Sequence, residues 1–218
     1  MQFKVSRFFR RIGVYVLAII EAAGWPIWPI ILCSIVAVGI IGERFWSLRK
    51  EVVAPRGLLA QVVQEYRQKG VSPEMLDRLA QSSLMGRIFV AALRNVGSTR
   101  EIMRESIEEA GRAAAHDLGR FLTTLGTIAT MSPLLGLLGT IIGMIEIFGV
   151  QGPTGMANPG QLAHGISIAL YNAAFGIIVA VPSLVFYRHF RAQVDSLVVE
   201  MEIQAVKLVE IIQGERKA

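Results

Sequence analysis

The stretch SPLLGLLGTIIGMIEIFG, residues 132–149, decides the fold. It is an apolar run that nevertheless carries a proline, three inner glycines, Thr140 and Glu146. A helix that only had to sit in lipid would need none of these residues. Looking outward, no Lys or Arg occurs between Arg120 and Arg188, and Glu146 is the only acid there. Apolar stretches of about 18 or more residues without charge read as membrane-spanning helices. The rest of the composition agrees: 53% of the 218 residues are hydrophobic, and the mean hydropathy is +0.50.

Three segments reach the ~20 residues needed to cross a bilayer core. They are residues 22–42, 127–148 and 166–187. Trp25 and Trp28 near one end of the first, and Phe45 and Trp46 at the other, fit interfacial aromatic belts. The link at 149–165, GVQGPTGMANPGQLAHG, has no Lys or Arg, whereas residues 43–126 are rich in both and 188–218 opens with RHFR. The positive-inside rule therefore puts the 149–165 loop outside and the other two segments in the cytoplasm. Three spans then put the N-terminus outside and the C-terminus in the cytoplasm. KVSRFFRR at residues 4–11 opposes this order, because it gives the N-terminus four positive charges. We read 1–21 as an amphipathic, interfacial segment with its basic residues at lipid headgroups.

The predicted fold class is all-α, an integral membrane protein with three transmembrane helices. Two of them extend as long helices into a cytoplasmic helical bundle. In the 43–126 region, Ser72, Pro73 and Glu74 read as the cap and first turn of a helix. From Ser98 onward, Ile102, Ile107, Ala110, Ala114, Leu118 and Leu122 recur at helical spacing. With no proline in between, one helix is expected to run from there into the second span. Val194, Leu197, Val198, Met201, Ala205, Leu208 and Ile212 likewise carry the third span into the tail.

The chemistry-bearing residues exclude several classes. His116, His164 and His189 are scattered, and the lone Cys33 has no partner at ligand spacing, so neither a metal nor another cofactor is implied. GISIA at 165–169 half-matches a nucleophile elbow, but no base lies within the span, so no enzyme is predicted. The charge of +5 follows from topology, and no basic run interleaved with aromatics suggests nucleic acid. The small residues Gly136, Gly139, Gly143, Ala173 and Gly176, with Pro182, read as helix packing in the lipid membrane. Ser132, Thr140, Glu146, Tyr171 and Asn172 are the candidate ion-pathway residues. Ser132, Gly136, Thr140 and Gly143 share one face, whereas Thr140 and Glu146 differ by roughly 600° of rotation. Glu146 stands near the outer end, where a pathway role and a snorkelling rim charge are both open.

These motifs also carry a family resemblance. LGTIA at 125–129 with the opening stretch, then ISIALYNAAFGIIVAVPSLVFYRHF at 166–190, resembles the paired signatures of the MotA/TolQ/ExbB proton-channel family. GWPIWPIILCSIVAVGIIGERFWSLR at 24–49 is similar to the first span of its ExbB/TolQ-like branch. The resemblance implies a homo-oligomeric ring, a pentamer, in the cell inner membrane, which makes the outer side of the 149–165 loop and of the N-terminus the periplasm. It also implies an ExbD- or TolR-like single-span partner that supplies a membrane aspartate, and a TonB- or TolA-like protein beyond it. The implied function is to couple proton-motive force to transport or envelope processes at the outer membrane. By the same resemblance Thr140 faces the partner's aspartate. Two departures stand out: Ile168 and Ala173 occupy places where many relatives have a glutamate and a threonine. They keep a non-conducting scaffold ring as an alternative, and an ion-driven motility stator is the other.

Overall fold

A computed structural model describes residues 18–149 and 159–213. Most of the N-terminal segment expected at 1–21, and most of the 149–165 loop, lie outside the described residues. Those described are helical throughout, apart from caps and turns. Residues 18–23 are helical and end at Gly24, whose φ of 70° is a left-handed stop that glycine adopts freely. The first long helix, α1, runs Ile27–Ser47. It is followed by α2 (Lys50–Val53), α3 (Leu58–Lys69), α4 (Pro73–Ser82), α5 (Leu84–Arg94) and α6 (Arg100–Gly119). Then come α7 (Leu122–Gly149) and the 54-residue α8 (Pro159–Ile212). Three helices, α1, α7 and α8, are long and apolar enough to cross a membrane, as the charge-free stretches require.

The chain divides into two compact units. One holds the described residues 18–40, 124–149 and 159–187, which include the apolar portions of the three long helices. The other holds Ile41–Thr123 and residues 188–213.

In the second unit the short helices start where the sequence provides caps. Met75 N–H donates to Ser72 Oγ at 3.2 Å, with Pro73 at the first helical position. Gly86 N–H donates to Ser83 Oγ at 3.1 Å. Each cap satisfies one of the amides that the first helical turn leaves unpaired. The expected apolar track on α8 is buried at Val194, Leu197, Met201, Ala205 and Leu208. On α6 the buried track is Met103, Ile107, Ala114 and Leu118, with Gly111 facing the Glu202 side chain of α8. Ile102 is exposed, one residue off that track. Spacings of four, seven and four from Met103 keep one face, whereas starting at Ile102 turns the helix by about 100°.

The predicted single helix from Ser98 into the second span is also corrected. It breaks at Arg120–Phe121, where Phe121 has a φ of 65°. Among the described residues it is the one non-glycine with positive φ. A bulky side chain there is strained by about 1–3 kcal/mol, so neighbours must hold it. Gly119, the weak helix former just before it, lets α6 stop. Arg44, only 4% exposed, donates from Nη1 to Leu118 O at 2.8 Å. It thereby closes the carbonyl end of α6 with a positive charge. Its carbon also lies 5.4 Å from the centre of the Phe121 ring, and that of Arg120 lies 4.8 Å away.

The core of this unit can be checked directly. Leu197→Ala empties a fully buried site and is expected to cost about 2–5 kcal/mol. Ile102→Ala, on the exposed side, is expected to stay within about 0.5 kcal/mol. Denaturant titration of the detergent-solubilised protein measures both.

Candidate functional site

The candidate residues Ser132, Thr140 and Asn172 all belong to the first unit, where α7 packs antiparallel on α8. Glycine makes this contact possible. A β-carbon on Gly136 would stand 2.8 Å from Asn172 O, and one on Gly143 2.5 Å from Gly165 O. From the other side, one on Gly176 would stand 2.7 Å from Ser132 O. All three obstacles are backbone oxygens, which cannot swing aside. The two backbones therefore touch, as small residues permit in lipid, where packing drives helix association. The face predicted from Ser132, Gly136 and Gly143 is this contact, and Gly139 joins it.

Thr140 sits half-buried at the edge of the same contact. Its hydroxyl reaches two carbonyls, Gly136 O at 3.2 Å on its own helix and Ala169 O at 3.3 Å across on α8. One proton serves both acceptors, and both distances exceed the ~2.7–2.8 Å usual for a hydroxyl donor. The hydroxyl is held weakly and can turn.

Asn172 is fully buried, its side chain lying in the slot that Gly139 leaves open. Nδ2 donates to Ala23 O at 2.7 Å and to Ile168 O at 2.8 Å. The amide orientation follows from these neighbours, since two carbonyl oxygens demand the NH₂ group. One side chain on α8 thus meets α7 at Gly139 and the segment that precedes α1 at Ala23. Asn172 Oδ1 and Ser132 Oγ are buried without a hydrogen-bond partner among the described residues. Leaving such an atom unpaired costs about 1–3 kcal/mol.

The remaining candidates are dispersed. Glu146 is exposed toward the end of α7, and Tyr171 is exposed on α8. Ala173 is half-buried beside Gly136, and Pro182 is exposed inside α8. Ser183 donates to Val179 O at 2.7 Å, a bond along its own helix. Ile168 is buried with its side chain against Gly24. Among the described residues no group of three metal-ligating side chains occurs. Sequence reasoning placed Asn172 in the pathway but missed its tie to Ala23. The one available signal was an amide alone among apolar neighbours.

Comparison with known proteins adds to this geometry. A family model described as the MotA/TolQ/ExbB proton channel family matches residues 80–203. The ExbB-like 3 biopolymer transport protein of Synechocystis is 38% identical over 170 residues, covering 75% of this chain and 79% of the relative. Biopolymer transport protein ExbB1 of Vibrio cholerae is 29% identical over 170 residues, with 75% and 74% covered. The ExbB biopolymer transport protein of Aquifex aeolicus is 28% identical over 131 residues, covering 59% of this chain and 88% of its own.

The backbone contact makes a sharp forecast. Gly143→Ala places a methyl against Gly165 O, and such overpacking costs about 1–3 kcal/mol. Gly39→Ala on α1 meets nothing within 4 Å. It should be neutral or stabilising by up to about 1 kcal/mol, because glycine weakens a helix. Thermal unfolding in detergent separates the two.

Proposed function

The chain belongs to the MotA/TolQ/ExbB proton channel family, and on that premise we propose that it is the ring-forming, proton-conducting subunit of an ExbB-type energy-transducing motor in the inner membrane. Its partner is a single-span protein of the ExbD or TolR type that brings a membrane carboxylate, with a TonB- or TolA-like protein beyond it. The ring is a homo-oligomer, a pentamer by family resemblance. Its N-terminus is periplasmic, and the unit containing α2–α6 is cytoplasmic. The reading is supported by the absence of Lys and Arg between Arg120 and Arg188, with Glu146 exposed as the only acid. Such a chain has no carboxylate of its own deep in a span, so a partner must supply the group that carries the proton.

The observation that carries the proposal is the loosely held Thr140 hydroxyl. A hydrogen bond to a neutral acceptor contributes about 0.5–1.5 kcal/mol, and one to a charged acceptor about 1.5–3 kcal/mol. Facing an ionised carboxylate, the hydroxyl therefore turns from Ala169 O toward the carboxylate and stabilises its charge in lipid. Once the carboxyl is protonated that advantage vanishes. The acid becomes the donor, the hydroxyl returns to the carbonyl, and the neutral side chain is released. The glycine contact keeps Thr140 at a fixed depth while this exchange repeats. Asn172 contributes by holding α8 against the segment that precedes α1. Its Oδ1 and Ser132 Oγ are two further polar atoms on the helix contact, unpaired among the described residues. Glu146 and Tyr171 belong to the rim of the pathway.

A second reading has its own support. Ile168, in the place of the relatives' glutamate, is buried against Gly24, and Ala173 brings no hydroxyl. These favour a scaffold ring that assembles without conducting.

Proton flux into vesicles holding this protein and a single-span partner decides between them. Thr140→Ala is expected to lower flux about tenfold or more, with Thr140→Ser largely restoring it. Flux indifferent to both changes would remove Thr140 from the pathway. A complex that assembles but never conducts would establish the scaffold.

A further inference from the structure

The second unit contains a groove of about 390 Å³ where the ends of α1 and α6 meet the start of α5. Three guanidinium groups line it, from Arg44, Arg87 and Arg120, against two carboxylates, from Glu43 and Asp117. The surplus of positive charge is not evenly available. Arg44 is occupied, since Nε and Nη2 donate to both oxygens of Glu43 at 2.5 and 3.2 Å while Nη1 holds Leu118 O. Its charge is cancelled locally, and it forms a fixed wall.

Arg87 is different. Its Nη1 donates to Asp117 Oδ2 at 3.1 Å, but the two side chains are 60% and 53% exposed. An exposed ion pair of this kind contributes only about 0–1 kcal/mol and is readily exchanged for a stronger anion. Arg120 has no hydrogen-bond acceptor among the described residues. Its guanidinium is held over the Phe121 ring, on the strained break between α6 and α7. The break therefore does more than end a helix: it aims a cation with free donors over the groove. The Ser47 and Ser83 hydroxyls on the lining add neutral polar groups, and the exposed Phe121 ring adds an apolar lip.

Depth decides the class of ligand. Arg44 lies in the last turn of α1 and Arg120 just before α7, both at the ends of apolar spans. That is where lipid headgroups lie, and basic pockets at span ends favour anionic phosphates. We propose that this groove binds the phosphodiester headgroup of an acidic phospholipid, held by Arg120 and Arg87 with Arg44 as its fixed wall. The phosphate takes the free donors of Arg120 and displaces Asp117 from Arg87, while Phe121 lies beside the first carbons of the acyl chains. The proposal stands on this unit alone and does not depend on conduction.

The test uses the full-length protein in a neutral detergent, titrated with short-chain phosphatidylglycerol, with bound lipid counted by native mass spectrometry. Arg120→Ala and Arg87→Ala are each expected to weaken binding about fivefold. Asp117→Asn is expected to tighten it, because it removes a competing carboxylate. Arg112→Ala removes the same charge from an exposed position outside the groove and should change nothing. All four side chains are exposed, so the variants should fold, which unfolding temperature checks. Equal retention of phosphatidylcholine, or equal weakening by Arg112→Ala, would show general attraction to the surface and overturn the site. Inorganic phosphate that binds in an Arg120-dependent way, with no preference for the lipid, would overturn the headgroup assignment in favour of a free anion.

Discussion

Everything in the membrane-spanning unit depends on two backbones touching. Between α7 and α8 the closest obstacles to a side chain at Gly136, Gly143 and Gly176 are main-chain oxygens. Water cannot drive this association, because lipid is as apolar as the helices. It rests on dispersion at close range and on the weak bonds that close range allows. Thr140 can reach Ala169 O only because the helices are this near, and Asn172 fits only because Gly139 has no side chain. A single added methyl would therefore disturb polar geometry as well as packing.

Polar groups in this chain are placed by what they can be exchanged for. Ser183 and Ser167 bond back to carbonyls of their own helix, at 2.7 and 2.9 Å, and are thereby neutralised. Thr140 divides one proton between two long bonds. Asn172 spends both donor protons and leaves its oxygen empty. Arg44 is buried yet fully engaged, by a carboxylate and a helix end. Tightly satisfied groups are structural here. The incompletely satisfied ones are those to which we assign an exchange, with a proton carrier at Thr140 and with a phosphate at Arg120.

Much of this was legible in the sequence because the signals are local or periodic. A charge-free stretch marks a span without further context, and Ser72 followed by Pro73 marks a helix start. The track from Val194 to Leu208 keeps its spacing because α8 runs without a break. Other features were not legible. Nothing local forbids a helix through Arg120 and Phe121. The break exists because Arg44, some seventy residues earlier, caps α6. On α6 the expected track was right at Ile107, Ala114 and Leu118 but began one residue early, at the hydrophobic Ile102 rather than at Met103, because burial there is decided by the partner helix. The burial of Ile168 against Gly24 and the bond from Asn172 to Ala23 join distant segments, and spacing carries no trace of either.

The bond from Asn172 to Ala23 joins residues 149 positions apart, tying the last span to the segment just before the first. Its consequence concerns how the protein is made. During synthesis that segment leaves the ribosome long before the third span, so its Ala23 carbonyl must wait without its final donor. When the third segment arrives, Asn172 enters the bilayer as a costly amide; one of its donor protons is met by Ile168 O on its own helix, and the other finds a partner by reaching back to Ala23. The last helix is thus inserted against a penalty that Ala23 is already placed to lessen. Assembly of this unit is complete only when its final span has closed on its beginning.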